Sequence, residues 1–203
     1  ICDLIIKKGL KIKWRCGSGI RADRVDYELL SKMKKAGCVY LAYGLESGDP
    51  YVLWKMRKAI TLKQAIRAFK LTQKAGIPFS INFIIGHAEE TYERAKKSIR
   101  LAERISINIP EAYVNFHNMI PFPGTVLYDY VKKHGRFILP EDEVLTEGAT
   151  LSGDPLFETP EFTFDERRRV LKEGLKLTRK THLKVRFGSV KGFFVYLILL
   201  IFC

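Results

Sequence analysis

The sequence predicts an α/β fold built from parallel βα units, and three observations carry that prediction. First, a unit recurs. Lys35-Ala36-Gly37 precedes the apolar residues 38–43 and then Gly44-Leu45-Glu46; Lys74-Ala75-Gly76 precedes residues 77–85 and then Gly86 through Glu90. Each unit reads as a helix closed by glycine, a strand, and a glycine-containing turn that carries acid. Second, strands alternate with helices of ordinary length, which argues for a parallel sheet, either open and doubly wound or closed into a barrel. Third, the strands themselves alternate. Ser80 and Asn82 share one face while Ile81, Phe83 and Ile85 share the other, and Asn115 and His117 oppose Val114 and Phe116. A doubly wound sheet is covered by helices on both sides and should be apolar on both. One polar face in successive strands therefore selects a barrel with a polar lumen.

The elements follow in order. Strands are expected near 11–16, 39–43, 79–85 and 112–120. Asp26 caps a helix with Leu29, Leu30 and Met33 on one face, ended by Gly37. Thr61-Leu62-Lys63-Gln64 is a capping box that opens a helix with Ala65, Ile66 and Phe69 toward the core, ended by Gly76. A third helix should span about 91–105, with Ala95, Ile99 and Ala102 as its buried stripe. Thr125 starts a fourth, closed near Gly135. From residue 139 onward Pro140, Pro155, Pro160, Gly148 and Gly153 mark a connecting segment, after which Thr163-Phe164-Asp165-Glu166 opens a basic helix to about Thr181. The expected division is a barrel portion, 1–138, and a linker with a basic and apolar helical tail, 139–203.

The tail ends in residues 193–203, apolar apart from Tyr196. That run falls short of the ~20 residues a membrane-crossing helix needs. A helix packed on the barrel or on a missing domain, a truncated anchor, and peripheral membrane contact through 192–203 all remain open. Residue 1 is Ile with no signal-peptide pattern behind it, so the chain reads as a fragment of something longer.

The formal charge is +13, and no acid stands between Asp49 and Glu89, where Lys55, Arg57, Lys58, Lys63, Arg67, Lys70 and Lys74 fall. Such a field attracts phosphate. At helical spacing, however, these residues make a solvated outer face, and no aromatic-interleaved nucleic-acid motif accompanies them. Cys2, Cys16, Cys38 and Cys203 are too scattered for a disulfide framework or a paired metal loop. A reducing, cytoplasmic setting fits them.

In parallel βα barrels the active site lies at the carboxyl ends of the strands. The candidates there are Arg21; Glu46; Gly86 with Glu89, Glu90 and Thr91; and Pro121-Phe122-Pro123-Gly124-Thr125. A carboxylate such as Glu46 can accept two hydrogen bonds from neighbouring ribose hydroxyls. It can equally be a turn acid or an ion-pair partner of Arg21. Gly86 lets a flat ring approach backbone without an intervening side chain, while Glu90-Thr91 suits the start of a helix. His117 on the polar face and His87 are the imidazoles nearby; His117 is the better catalytic candidate, and a hydrogen-bonded core role also fits it.

Several strings in order resemble the radical S-adenosylmethionine (SAM) superfamily, in the branch often fused to an N-terminal cobalamin-binding domain. They are Trp14 followed by Arg21-Ala22-Asp23; Leu29-Leu30-x-x-Met33-Lys34-x-Ala36-Gly37-Cys38; Gly44-Leu45-Glu46-Ser47-Gly48; Met56 through Ile60-Thr61; Gly86 to Glu90-Thr91; and Pro121 through Thr125. The resemblance implies the C-terminal part of a partial (β/α)6, TIM-like barrel. It also implies a [4Fe–4S] cluster that reductively cleaves SAM to a 5′-deoxyadenosyl radical and drives a methylation or rearrangement; it leaves cobalamin open. No C-x-x-x-C-x-x-C string is present, so on this resemblance the cluster ligands lie in a missing N-terminal portion and this fragment alone is inactive.

Carried over by position, the resemblance implies cofactor contacts at Arg21, Gly44, Glu46, Ser47, Ile85 and Gly86. Glu46 would meet the SAM ribose or amino group, Arg21 its carboxylate or that glutamate, and Ile85-Gly86 the adenine. Ala88 and Glu89 depart from the Pro and Gly often seen in that turn. Other functions stay open beside this one: a radical SAM enzyme that modifies nucleic acid, or a non-catalytic barrel that docks a partner or membrane through its tail.

Overall fold

Four parallel strands line up in chain order: β1 (Trp14–Ile20), β2 (Cys38–Glu46), β3 (Phe79–Ile85) and β4 (Ala112–Asn118). The computed structural model describes residues 1–140, 143 and 153–188. A sheet wound 1-2-3-4 without reversal is a barrel wall; a doubly wound sheet reverses at a switch point. Helix α1 (Cys2–Lys7) precedes β1. The crossovers are α2 (Tyr27–Lys35), then α3 (Pro50–Lys55) with α4 (Leu62–Lys74), then α5 (Tyr92–Asn108). The fold class is thus α/β with a parallel sheet.

The apolar stripes read from the sequence meet on the helix side of this wall. Phe79, Ile81, Phe83 and Ile85 of β3 and Val114 and Phe116 of β4 pack with Ala65, Phe69, Ala95, Ile99 and Ala102 in one buried core. Tyr43, Phe69 and Phe79 form an aromatic cluster there, with centroids 5.3, 5.8 and 6.0 Å apart. The Tyr43 hydroxyl is satisfied by Thr72 Oγ1 at 2.6 Å, and burial pushes its pKa up to about 12.

The opposite face is polar, as expected. Asn82 and Asn115 are directly paired across β3 and β4, and Asn115 Nδ2 donates to Asn82 Oδ1 at 2.8 Å.

The Thr61–Gln64 capping box is present, and Asp26, Thr91 and Thr125 each cap a helix. Two details differ from the sequence reading. Leu29 is 39% exposed while Leu30 and Met33 are buried, so α2 buries a narrower stripe. β1 begins at Trp14, pinned by its own N–H and indole N–H to the Gly37 and Ala36 carbonyls, and extends through Gly17-Ser18-Gly19, which read as loop because glycine and serine pack poorly on a pleated surface.

Beyond β4 come α6 (Val126–His134) and an antiparallel pair, β5 (Arg136–Phe137) with β6 (Phe157–Glu158). Helix α7 (Phe164–Phe187) then opens on the expected Thr163–Glu166 capping box and runs past Thr181 to Gly188. Its Val170, Leu171 and Leu177 join the main core. It also closes the sheet's far edge: the N–H groups of Val114 and Phe116 donate to the hydroxyls of Thr181 (3.3 Å) and Thr178 (3.1 Å). A strand edge left bare would be a site for unwanted pairing.

Lys63, Arg67 and Lys70 lie on the exposed side of α4. Among the described residues no helix is long and apolar enough to cross a membrane. The apolar run 192–203 lies outside them, as does Gly148 of the expected linker.

Candidate active site

The carboxyl ends of β1 and β2 border a cleft of ≈ 340 Å³, lined by residues 18–23, Gly44, Glu46, Met56, Arg57, Lys58 and Ile60. Its shape starts from an irregularity in β2. The register with β3 slips between Gly44 and Glu46, a bulge of the kind that re-aims a side chain, and Glu46 itself takes φ 71°. The carboxylate consequently folds back over Gly44, where a Cβ would stand 2.2 Å from Glu46 Oε1. A side chain at residue 44 would push that carboxylate aside.

Lys58 Nζ meets Glu46 Oε1 at 2.8 Å. The lysine sits between Arg57 (φ 54°) and Ala59 (φ 49°), both in the left-handed region. Each such residue costs of order 1 kcal/mol or more and persists only where surrounding structure imposes it. Three strained residues bear on this one ion pair.

Arg21 also lines the cleft, but the expected pairing with Glu46 does not form. Its Nε and Nη2 donate to Asp23 at 3.0 and 2.9 Å, a fork made possible by a spacing of two residues. The Asp23 hydrogen bond raises the Arg21 pKa.

Ser47 is fully buried outside the cleft. Its Oγ accepts the Asp49 N–H at 3.1 Å and lies 3.4 Å from Ser98 Oγ. The Gly48 N–H donates to Ser98 Oγ at 2.8 Å. A Cβ on Gly48 would stand 2.7 Å from the Lys97 carbonyl, so the turn after β2 is pressed against α5.

Asp49 then caps α3 through the N–H groups of Tyr51 (2.7 Å) and Val52 (3.1 Å), and pairs with Arg94 and Lys97. Burial raises its pKa, but Lys97 and the two N–H donors outweigh that and hold it below the usual range. This anchoring fixes the strand end that carries Glu46.

The turn after β3 is built on Glu90. Its Oε2 accepts the N–H groups of Gly86 (2.7 Å) and His87 (3.2 Å). Burial pushes the Glu90 carboxyl up to about 7 against those two bonds. Gly86 takes φ 111°; Glu89, where the resemblance would place glycine, takes φ 56° and is held by the Tyr51 hydroxyl at 2.9 Å and Lys55 at 2.8 Å.

The Ile85 side chain points into the core. His87 is buried, which lowers its pKa to about 4, and its Nε2 has no hydrogen-bond partner. His117 is exposed on the polar face.

Arg21, Gly44 and Glu46 therefore share one cleft, whereas Gly86 lies outside its lining, against Arg167 and Met119, and Ser47 and Ile85 are buried. Lys58, Asp49 and the acceptor role of Glu90 were missed. Lys58 lies within a string that carries the resemblance, but nothing in the spacing signals that two left-handed residues turn it back onto Glu46.

Residues 2–102 match the family model for the radical SAM superfamily. This stretch is a radical SAM domain. The chain is 29% identical over 169 residues to an uncharacterized methyltransferase of Pyrococcus horikoshii, covering 83% of this chain and 34% of that protein. It is 28% identical over 166 residues to the anaerobic magnesium-protoporphyrin IX monomethyl ester cyclase of Cereibacter sphaeroides, covering 75% and 26%. The chain thus spans about a third or less of the length of these relatives. The radical SAM enzyme coproporphyrinogen III oxidase of Escherichia coli superposes with a TM-score of 0.51 at 12% identity, over 79% of this chain and 31% of that one, which shows a shared fold.

The cofactors of this superfamily are SAM and a [4Fe–4S] cluster. The cleft fits SAM: it offers an anion and a cation 2.8 Å apart to a ligand that carries both charges. The described residues do not fit the cluster, because no group of three His, Cys, Asp or Glu among them could hold a metal ion.

Proposed function

We propose that this chain forms the SAM-binding wall of a radical SAM enzyme whose complete form carries out a methylation or a related radical rearrangement. The observation that carries this reading is the Glu46–Lys58 pair across the cleft. A free amino acid end bears an ammonium and a carboxylate, and each finds its opposite charge here, so binding exchanges one internal ion pair for two external ones. Lys58, with Arg57 and Arg21 beside it, takes the carboxylate. Glu46 takes the ammonium or the ribose hydroxyls, and the backbone of Ile85-Gly86 meets the adenine ring.

SAM supplies the reactive group; the chain's own residues orient it. The polar face bearing Asn82, Asn115 and His117 receives the substrate, and the relative named as a methyltransferase favours methylation. Cobalamin belongs to the proposal as an optional second cofactor, which the absorbance spectrum of the full-length protein would reveal.

Equilibrium dialysis of the full-length protein with labelled SAM tests the reading. Saturable binding that S-adenosylhomocysteine displaces supports it. Absence of binding refutes it.

A further inference from the structure

The turn proposed to receive adenine is held from behind by a residue far along the chain, outside the matched stretch. Arg167 of α7 is 1% exposed. Its guanidinium lies 4.3 Å from the Phe157 ring centroid and 4.6 Å from that of Phe162. Nε donates to the Phe162 carbonyl at 2.8 Å and Nη2 to the Thr159 hydroxyl at 3.3 Å. Nη1 lies against Gly86, where a Cβ would stand 2.6 Å from it. No side chain could share that space, and φ 111° would strain one in any case.

The Glu90 carboxylate meets Gly86 too, accepting its N–H at 2.7 Å. Glu90 Oε2 holds two backbone N–H groups, whereas Oε1 is buried without a hydrogen-bond partner. A buried carboxylate with an unbonded oxygen needs a nearby positive charge to remain ionised. Glu90 is faced by Arg167 from α7 and by Asp49 from the start of α3, the first favouring its ionised form and the second opposing it. Arg167 is faced in turn by Glu90, Glu158, Glu161 and Tyr130.

We propose that Arg167 is a positioning residue for cofactor binding: it packs on Gly86, serves as the counter-charge of Glu90, and so sets the turn that ends β3. The proposal rests on the reading of the cleft as a SAM site. Its mechanism is electrostatic. An ionised carboxylate holds N–H donors about twice as strongly as a neutral acid, so a charged Arg167, by favouring the ionised form, tightens the hold on the Gly86 and His87 amides as pH rises through about 7. Burial lowers the Arg167 pKa to about 10, which leaves it charged there. The helix that closes the β4 edge thereby controls a backbone turn in the cofactor site.

The test follows the Glu90 side-chain carboxyl resonance of the full-length protein through the neutral pH range without SAM. The inflection should lie near 7 in the wild type, move to higher pH in Arg167→Met, and return toward the wild-type position in Arg167→Lys. One inflection shared by all three would overturn the proposal. Should Arg167→Met fail to fold, hydrogen exchange of the wild type decides: Gly86 and His87 amide protection must rise as Glu90 ionises, and protection indifferent to that titration would overturn it. SAM affinity should fall about tenfold in Arg167→Met, the loss of one charge-assisted contact, and recover in Arg167→Lys; equal affinity in all three would also count against it. A wild type that binds no SAM would sink the cofactor reading alone, since the Glu90 titration judges Arg167 independently.

Discussion

Lys58 Nζ lies 2.8 Å from Glu46 Oε1, bringing together residues 12 positions apart in the chain across the mouth of one cleft. Both side chains are only partly buried, at 32% and 15% exposure. A pair placed so contributes little to folding, typically under about 1 kcal/mol. Its strained surroundings therefore point to ligand binding. Lys58→Met should leave thermal stability nearly unchanged while weakening SAM binding about tenfold or more, the worth of one charge-assisted contact. Calorimetry of both quantities on the same preparation would separate the two effects.

Gly44→Ala attacks the same pair from below. The new methyl group would stand 2.2 Å from Glu46 Oε1, and the flexible carboxylate would swing away. The expected outcome is a folded protein, confirmed by circular dichroism, with SAM affinity reduced as far as in Lys58→Met. Wild-type affinity would show that the folded-back carboxylate is not the binding conformation.

Asp49→Ala should act on stability instead. It removes a helix cap, whose loss costs roughly 1 kcal/mol, and strands the partners of a buried carboxylate, which brings the total to about 2–4 kcal/mol in denaturant unfolding. The Asp49 pKa is depressed in the fold, so its contribution is present above the unfolded value near 4 and is lost as pH falls through the lower folded value. The difference between wild type and Asp49→Ala should accordingly shrink in acid.

Glu90 behaves with the opposite sign. Its folded pKa, about 7, is raised above the ordinary glutamate value of 4.5. The stability linked to its protonation is complete below the unfolded value and is lost as pH rises through about 7, by roughly 3 kcal/mol at most. Glu90→Gln should flatten the stability profile between those values. An unchanged profile in urea titrations at several pH values would show that Glu90 is not the group responsible.

Much of this wall was legible because periodicity and capping are local. Thr61 with Gln64, Thr163 with Glu166, and the alternation of Ser80 and Asn82 with Ile81 and Phe83 each declare an element within a few residues, and the structure places them as read. Glu46 was legible as a strand-end acid. Its partner was not, because the choice between Arg21 and Lys58 depends on a register slip at Leu45 and on left-handed backbone at Arg57 and Ala59, neither of which leaves a compositional mark. Ser47 read as a ligand contact because the string around it carried the resemblance; only the close approach of α5 shows that its hydroxyl is turned inward to Asp49. Arg167 read as one of many basic residues on a helix, and its burial follows from Phe157 and Phe162, which reach it from a separate segment.

The most direct test of the account is isothermal titration of SAM into full-length wild-type and Glu46→Gln proteins. The substitution keeps the size of the side chain and removes its charge. The account predicts micromolar-class binding in the wild type, of order 8 kcal/mol, and at least about a tenfold loss in Glu46→Gln with an unchanged unfolding temperature. Equal affinity in the two proteins would contradict it and return Glu46 to a purely local role in the turn that follows β2.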